Sequence, residues 1–161
     1  MAAAQQTEHS APSPSTHLTI KSFGGKTLTL SPEELAALPH KSVSVFNAHS
    51  KANETYSGVP LADLLAKVGV PLGESVPLGE SVRGKLFLTG VVASGADGYG
   101  VLYSLAEVDP SIHTGDVIVA DALDGKKLDK DGAFKMVSSE ERRPARWVRN
   151  LASISVVKVE P

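Results

Sequence analysis

The chain has 161 residues, 42% of them hydrophobic and 21% charged, with a mean hydropathy of -0.02; this suits one globular core and excludes a large multidomain machine or a disordered polymer. A formal net charge of -2 removes any bulk electrostatic case for nucleic acid or an anionic membrane. The absence of cysteine excludes disulfides, thiol catalysis and iron–sulfur ligation while leaving the compartment open, and no apolar run approaches the ~18 residues of a bilayer span.

Residues 1–16 are rich in Ala, Gln, Ser and Pro without apolar periodicity and read as a disordered lead-in, with a single domain over 17–161. Ala2-Ala3-Ala4-Gln5 has the composition of the end of a secretory signal, so a mature exported protein, periplasmic or secreted, is one expectation; an ordinary cytoplasmic N-terminus is the other. From Leu18 the pattern alternates through Ile20 and Phe23, and resumes at Leu28 and Leu30 after Gly24-Gly25, which predicts a hairpin with a two-residue turn. Ser31-Pro32-Glu33-Glu34 is a helix start with a capping box, and Pro39 stops that helix. Val43 and Val45 mark a strand that runs into a polar loop over 47–57.

Pro60 opens the best helical pattern, with Leu61, Leu64, Leu65 and Val68 on one stripe and Gly69 closing it. The hexapeptide Val-Pro-Leu-Gly-Glu-Ser then occurs twice in tandem over 70–81 and reads as surface slack. Leu86, Leu88 and Val91-Val92 predict a strand, Gly95-Ala96-Asp97-Gly98 a turn, and 99–103 the partner strand. Ser104-Leu105-Ala106-Glu107 is a second capping box. Val117-Ile118-Val119-Ala120 predicts a strand buried on both faces, Asp124-Gly125 a hairpin turn, and 134–137 and 154–159 two further strands. About eight strands and three short helices make a β-rich α+β domain with a mixed sheet.

The five histidines, His9, His17, His40, His49 and His113, show no metal-ligand spacing. His49 stands out because it follows a core strand, although a solvated loop histidine is the commoner case. Asp129-Lys130-Asp131-Gly132 resembles a calcium loop only in passing, since Lys127 and Ser138 occupy the positions of its first acid and its last glutamate; calcium is rejected. The glycines of 95–100 fit neither a dinucleotide nor a phosphate loop, and no serine-hydrolase elbow occurs. Lys135, Arg142, Arg143, Arg146 and Arg149 form a basic run opposed only by Glu140 and Glu141. If Pro144 starts a helical turn, Arg146 and Arg149 share a face suited to an anion, against the commoner outcome of a solvated surface. Trp147 reads as a core anchor.

Four phrases in chain order carry a family resemblance: Tyr56-Ser57-Gly58-Val59-Pro60-Leu61-Ala62-Asp63-Leu64-Leu65; Asp97-Gly98-Tyr99 with the second capping box; Val117-Ile118-Val119-Ala120 with Asp124-Gly125-Lys126-Lys127-Leu128; and Ala145-Arg146-Trp147-Val148. Together they resemble the molybdopterin-binding domain of the sulfite oxidase family, particularly its small standalone bacterial members, over most of 20–159. The resemblance implies a mixed α+β fold holding one molybdopterin and a molybdenum ion ligated by a cysteine thiolate. That cysteine would follow the strand at 43–47, where this chain has Ala48 and His49. An imidazole binds metals without donating charge as a thiolate does.

The resemblance further implies that Arg146 contacts the phosphate end of the cofactor, with Arg142 or Arg143 as a basic partner. It sets Tyr99 at the substrate-side tyrosine, where a packed hairpin aromatic is the alternative. Gly132-Ala133 replaces the family's Gly-Pro. The expected function is therefore binding of a pterin phosphate or another small anion through His49, Tyr99, Arg142, Arg143 and Arg146, without sulfite-oxidase-type catalysis. The alternatives are an oxidoreductase with a non-thiolate metal site, its redox partner undefined, and a ligand-free interaction module whose pocket is closed by side chains.

Overall fold

The computed structural model describes residues 12–73, 87–130 and 132–160. Residues 1–11 of the lead-in, the repeat beyond Gly73, Leu86 of the expected strand and Asp131 of the rejected calcium loop lie outside these residues. Attachment to the fold begins slightly ahead of His17, because Asn150 Oδ1 accepts from the Ser15 amide (2.7 Å) and its Nδ2 donates to the Ser13 carbonyl (3.2 Å).

The first hairpin is β1 (Leu18–Lys21) and β2 (Thr27–Leu30). Its turn differs from expectation: the Ser22 amide donates to the Lys26 carbonyl (2.9 Å), leaving a three-residue loop with Gly25 left-handed at φ 88°. Phe23 therefore sits in the loop, exposed, rather than on the strand. Helix α1 (Pro32–Ala36) carries the expected capping box, in which Ser31 Oγ accepts from the Glu34 amide (3.2 Å) and Glu34 accepts from the Ser31 amide (2.8 Å).

Strands β3 (Lys41–Asn47) and β4 (Ala52–Pro60) form the next hairpin. The expected loop over 47–57 is thus corrected to a tight turn followed by a nine-residue strand. Polar side chains at Asn53, Thr55 and Ser57 obscured an alternation whose other face carries Glu54 and Tyr56. Helix α2 (Leu61–Lys67) follows Pro60 directly and buries Leu61, Leu64 and Leu65. Strand β5 (Thr89–Gly95) starts later than Leu86 and Leu88 suggested, and pairs with β6 (Gly100–Ser104). Helix α3 (Leu105–Val108) has its capping box. Strands β7 (Val117–Leu123), β8 (Lys126–Lys127), β9 (Lys135–Ser138) and β10 (Leu151–Lys158) complete the chain, with a 3-10 turn at Pro144–Arg146.

These strands form two sheets, in the orders β2-β1-β10-β5-β6 and β3-β4-β7-β8, with β9 also paired to β7. The main core joins both sheets and helices α1, α2 and α3, through residues such as Ile20, Leu35, Leu64, Val91, Leu105, Val119 and Ile154. A smaller cluster of Val43, Val45, Tyr56, Ile118, Ala120, Val137 and Trp147 covers the other face of the second sheet. Along β7, Val117 and Val119 join the first cluster while Ile118 and Ala120 join the second, the double-faced burial expected of that apolar run. The α+β class is as expected. Among the described residues no helix is long and apolar enough to cross a membrane.

Candidate functional site

A cleft of ≈ 500 Å³ opens on the side of the second sheet that carries the smaller cluster. Its rim at the β3–β4 turn is built by Asn47, whose Oδ1 accepts from the amides of His49 (2.9 Å) and Ser50 (3.4 Å). That fold of the chain leaves His49 exposed at the rim. The floor is formed by Tyr56 of β4, Lys135 of β9 and Trp147, which follows the 3-10 turn. The opposite wall comes from Asp97 and Tyr99 of the β5–β6 turn together with Pro144, Ala145 and Arg149. Tyr99 Oη donates to the Ala145 carbonyl, clamping these two loops to each other.

Lys135 is 6% exposed, an unusual position for an ammonium group. Its Nζ donates to Tyr56 Oη (3.1 Å) and lies 5.0 Å from the Tyr56 ring centroid and 5.6 Å from that of Trp147. The two rings meet edge to face, and Trp147 Nε1 is anchored on the Ser138 carbonyl (2.8 Å). Both ring faces supply partial negative charge to the cation. Tyr56 Oη in turn donates to Glu54 Oε2 (2.7 Å), which also accepts from Asn47 Nδ2 (3.0 Å), while Ser50 Oγ donates to Glu54 Oε1 (2.9 Å). Burial alone would raise the Glu54 pKa. The donors Tyr56, Asn47 and Ser50, with the charge of Lys135, outweigh it and hold the carboxyl below its ordinary range. Rim and floor are thus one connected polar network centred on Glu54.

Of the residues expected at the site, the cleft gathers His49 and Tyr99. Arg146 stands elsewhere, beside a second, smaller hollow of ≈ 150 Å³ with Tyr103, Glu107 and Glu141. Its Nη2 reaches Glu107 Oε1 at 3.0 Å and Glu141 Oε1 at 2.5 Å, and the guanidinium carbon lies 4.3 Å from the Tyr103 ring centroid. Two carboxylates already neutralise it, so its expected role at a cofactor phosphate is not matched by its surroundings. Arg142 and Arg143 are exposed and line neither hollow. The shared face expected of Arg146 and Arg149 fails for a geometric reason. The 3-10 turn ends at Trp147, which is extended (φ -80°, ψ 127°), so the three-residue spacing no longer aligns side chains and Arg149 turns to the cleft instead.

Lys135, Arg149 and Trp147 were visible in the sequence as a basic run and a core anchor, whereas Glu54 and Tyr56 were hidden in the supposed loop. Their signal was the alternation of Glu54, Tyr56 and Gly58 ahead of Val59-Pro60.

The donor set does not suit a thiolate-ligated molybdenum. Ala48 carries no donor, and among the described residues no three His, Cys, Asp or Glu side chains converge as they would around a metal ion.

No protein-family model matches the chain, and no curated protein matches it. Among solved structures it is similar to the sulfane dehydrogenase SoxCD from Paracoccus pantotrophus, with a TM-score of 0.65 and 20% sequence identity, over 87% of this chain and 37% of that one. The similarity is one of fold, and this chain spans little more than a third of its neighbour's length.

Proposed function

We propose that the protein is a non-redox binding module whose cleft takes a small anion joined to a flat ring, a pterin phosphate being the model ligand. The observation that carries this reading is the buried Lys135 ammonium at the floor of an aromatic-walled cleft, with Arg149 at its edge. A guanidinium and an ammonium recognise phosphate or carboxylate, and Tyr56, Tyr99 and Trp147 supply apolar ring surface. Tyr56, Asp97, Tyr99, Ala145 and Trp147 of the cleft fall within three of the four phrases that resemble the sulfite oxidase family, and that resemblance supports a ligand here. Without a thiolate at positions 48 and 49 the cleft has no counterpart of the family's cysteine ligand, and on this reading the chain's own groups bind and orient. A ligand-free interaction module would have its pocket closed by side chains around His49, Tyr99 and Arg146; Arg146 lies outside the cleft, and the open space of ≈ 500 Å³ beside His49 and Tyr99 favours a ligand.

Isothermal titration calorimetry with a pterin phosphate and, separately, inorganic phosphate tests the proposal. The wild type is expected to bind the pterin phosphate, and Arg149→Ala to weaken it about tenfold, the equivalent of about 1.4 kcal/mol for a charge-assisted contact. Absence of binding to either probe by the wild type would sink the reading.

A further inference from the structure

The free edges of the two sheets are protected unequally. In the first sheet the outer strand β2 has only four residues, and on the outer strand β6 the Leu102 carbonyl accepts from Arg146 Nη1 (3.4 Å). In the second sheet β8 consists of two lysines, and β9 is closed on its outer side by paired bonds between Met136 and Val148 (2.9 and 3.2 Å). Shortness, lysines and covering contacts are the usual means of stopping an edge from pairing with another chain. Strand β3 has none of these over most of its length. Its seven residues pair with β4 in unbroken register and, among the described residues, with no other strand. It contains no proline, its one charge is Lys41 at the first position, and Phe46 is 62% exposed on its outward face.

At its centre the edge is locally symmetric, with Val43 and Val45 on either side of Ser44. Antiparallel pairing with an identical strand centred there sets Val43 opposite Val45 on the inner face and Phe46 opposite Ser42 on the outer face. Lys41 falls opposite Asn47, so no like charges meet. We propose that β3 pairs with β3 of a second copy of the chain, joining the two second sheets into one continuous antiparallel sheet. The pairing sets Lys41 of one copy beside Asn47 at the cleft rim of the other. It is independent of what the cleft binds.

Sedimentation equilibrium over a concentration series tests this. The wild type is expected to show a monomer–dimer equilibrium between about 10 µM and 1 mM, since one strand pair is smaller than a standard interface. Ser44 is exposed and, among the described residues, its Oγ bonds only to Thr55 Oγ1 (2.9 Å), so Ser44→Lys and Ser44→Glu should both fold, as a thermal melt by circular dichroism checks. Each variant sets like charges opposite one another at the symmetry point and should be monomeric throughout, whereas an equimolar mixture should associate as a heterodimer. A wild type monomeric up to about 1 mM, a single variant that dimerises as the wild type does, or a mixture that stays monomeric would each overturn the proposal.

Discussion

Arg146 was legible in the sequence as a cation but not as an occupied one. The carboxylates that neutralise it lie 39 and 5 residues away, and only the fold brings Glu107 to it. Its pKa is driven up first by the hydrogen bond to Glu107, burial opposing and Glu141 adding. On Glu107 burial works upward, while bonds from Arg146 and the Ser104 amide win and hold the carboxyl below its ordinary range. Buried Asp109 behaves alike, its desolvation outweighed by Ser111 and the Gly73 amide. A carboxyl depressed in the native state contributes stability that is present above its unfolded pKa, about 4, and lost as pH falls through the native value. Glu107→Gln can keep the bond from the Ser104 amide, but it removes the charge and replaces the oxygen that accepts from Arg146 Nη2 with an NH2 donor. At pH 7 it should destabilise by about 1 kcal/mol, a small figure because the pair is partly exposed and screened by water. Urea titrations should show that gap narrowing as the pH falls from about 4 through the depressed native value of Glu107, below which the wild-type carboxyl is neutral as well. A gap independent of pH would mean that shape and not charge holds the contact.

Elements with a mechanism written into a few neighbouring residues were read correctly. Both capping boxes form, because Ser31 with Glu34 and Ser104 with Glu107 need only each other. The Asp124-Gly125 hairpin forms because Asp124 at φ 49° and Gly125 at φ 80° both take the left-handed conformation such a turn requires. Strand β4 was missed because its identity is imposed from outside, by β3 on one side and β7 on the other. Gly58 exposes that dependence. The β4–β7 register shifts between Ser57 and Gly58, and a Cβ at Gly58 would overlap the Val119 carbonyl and the Ala120 backbone. Gly58→Ala must push two central strands apart and should cost about 3 kcal/mol, lowering Tm by about 6–12 °C for a domain of this size. A melting temperature within a degree or two of wild type would show that β7 yields at this point and that the close approach is not a constraint. The glycine within the Tyr56–Leu65 phrase therefore has a steric reason that owes nothing to a ligand.

The order of strands across the molecule could not be read along the chain at all. Periodicity shows that a strand exists and which of its faces is apolar, but not which strand lies beside it. Here the last strand, β10, is inserted between β1, its parallel partner, and β5, its antiparallel one, so Ile20 lies beside Ile154 and Val92 beside Ser155. Almost the whole chain must be in place before the first sheet can close. Such non-local pairing carries a large loop-closure cost and places folding in the slow range of small domains, milliseconds to seconds. It also makes the C-terminal strand indispensable. A chain ending at Asn150 loses Leu151, Ile154 and Val156 from the main core, all at most 3% exposed. It also leaves the facing edges of β1 and β5 without their shared neighbour. Losing three aliphatic core side chains at about 2–4 kcal/mol each removes most or all of the 5–15 kcal/mol that holds a typical domain folded. The truncated chain should therefore show no cooperative thermal transition by near-ultraviolet circular dichroism at Trp147. If instead a sharp transition persisted, the second sheet with its small cluster and cleft would have to be a folding unit in its own right, and β10 an addition to it rather than the strand on which the first sheet closes.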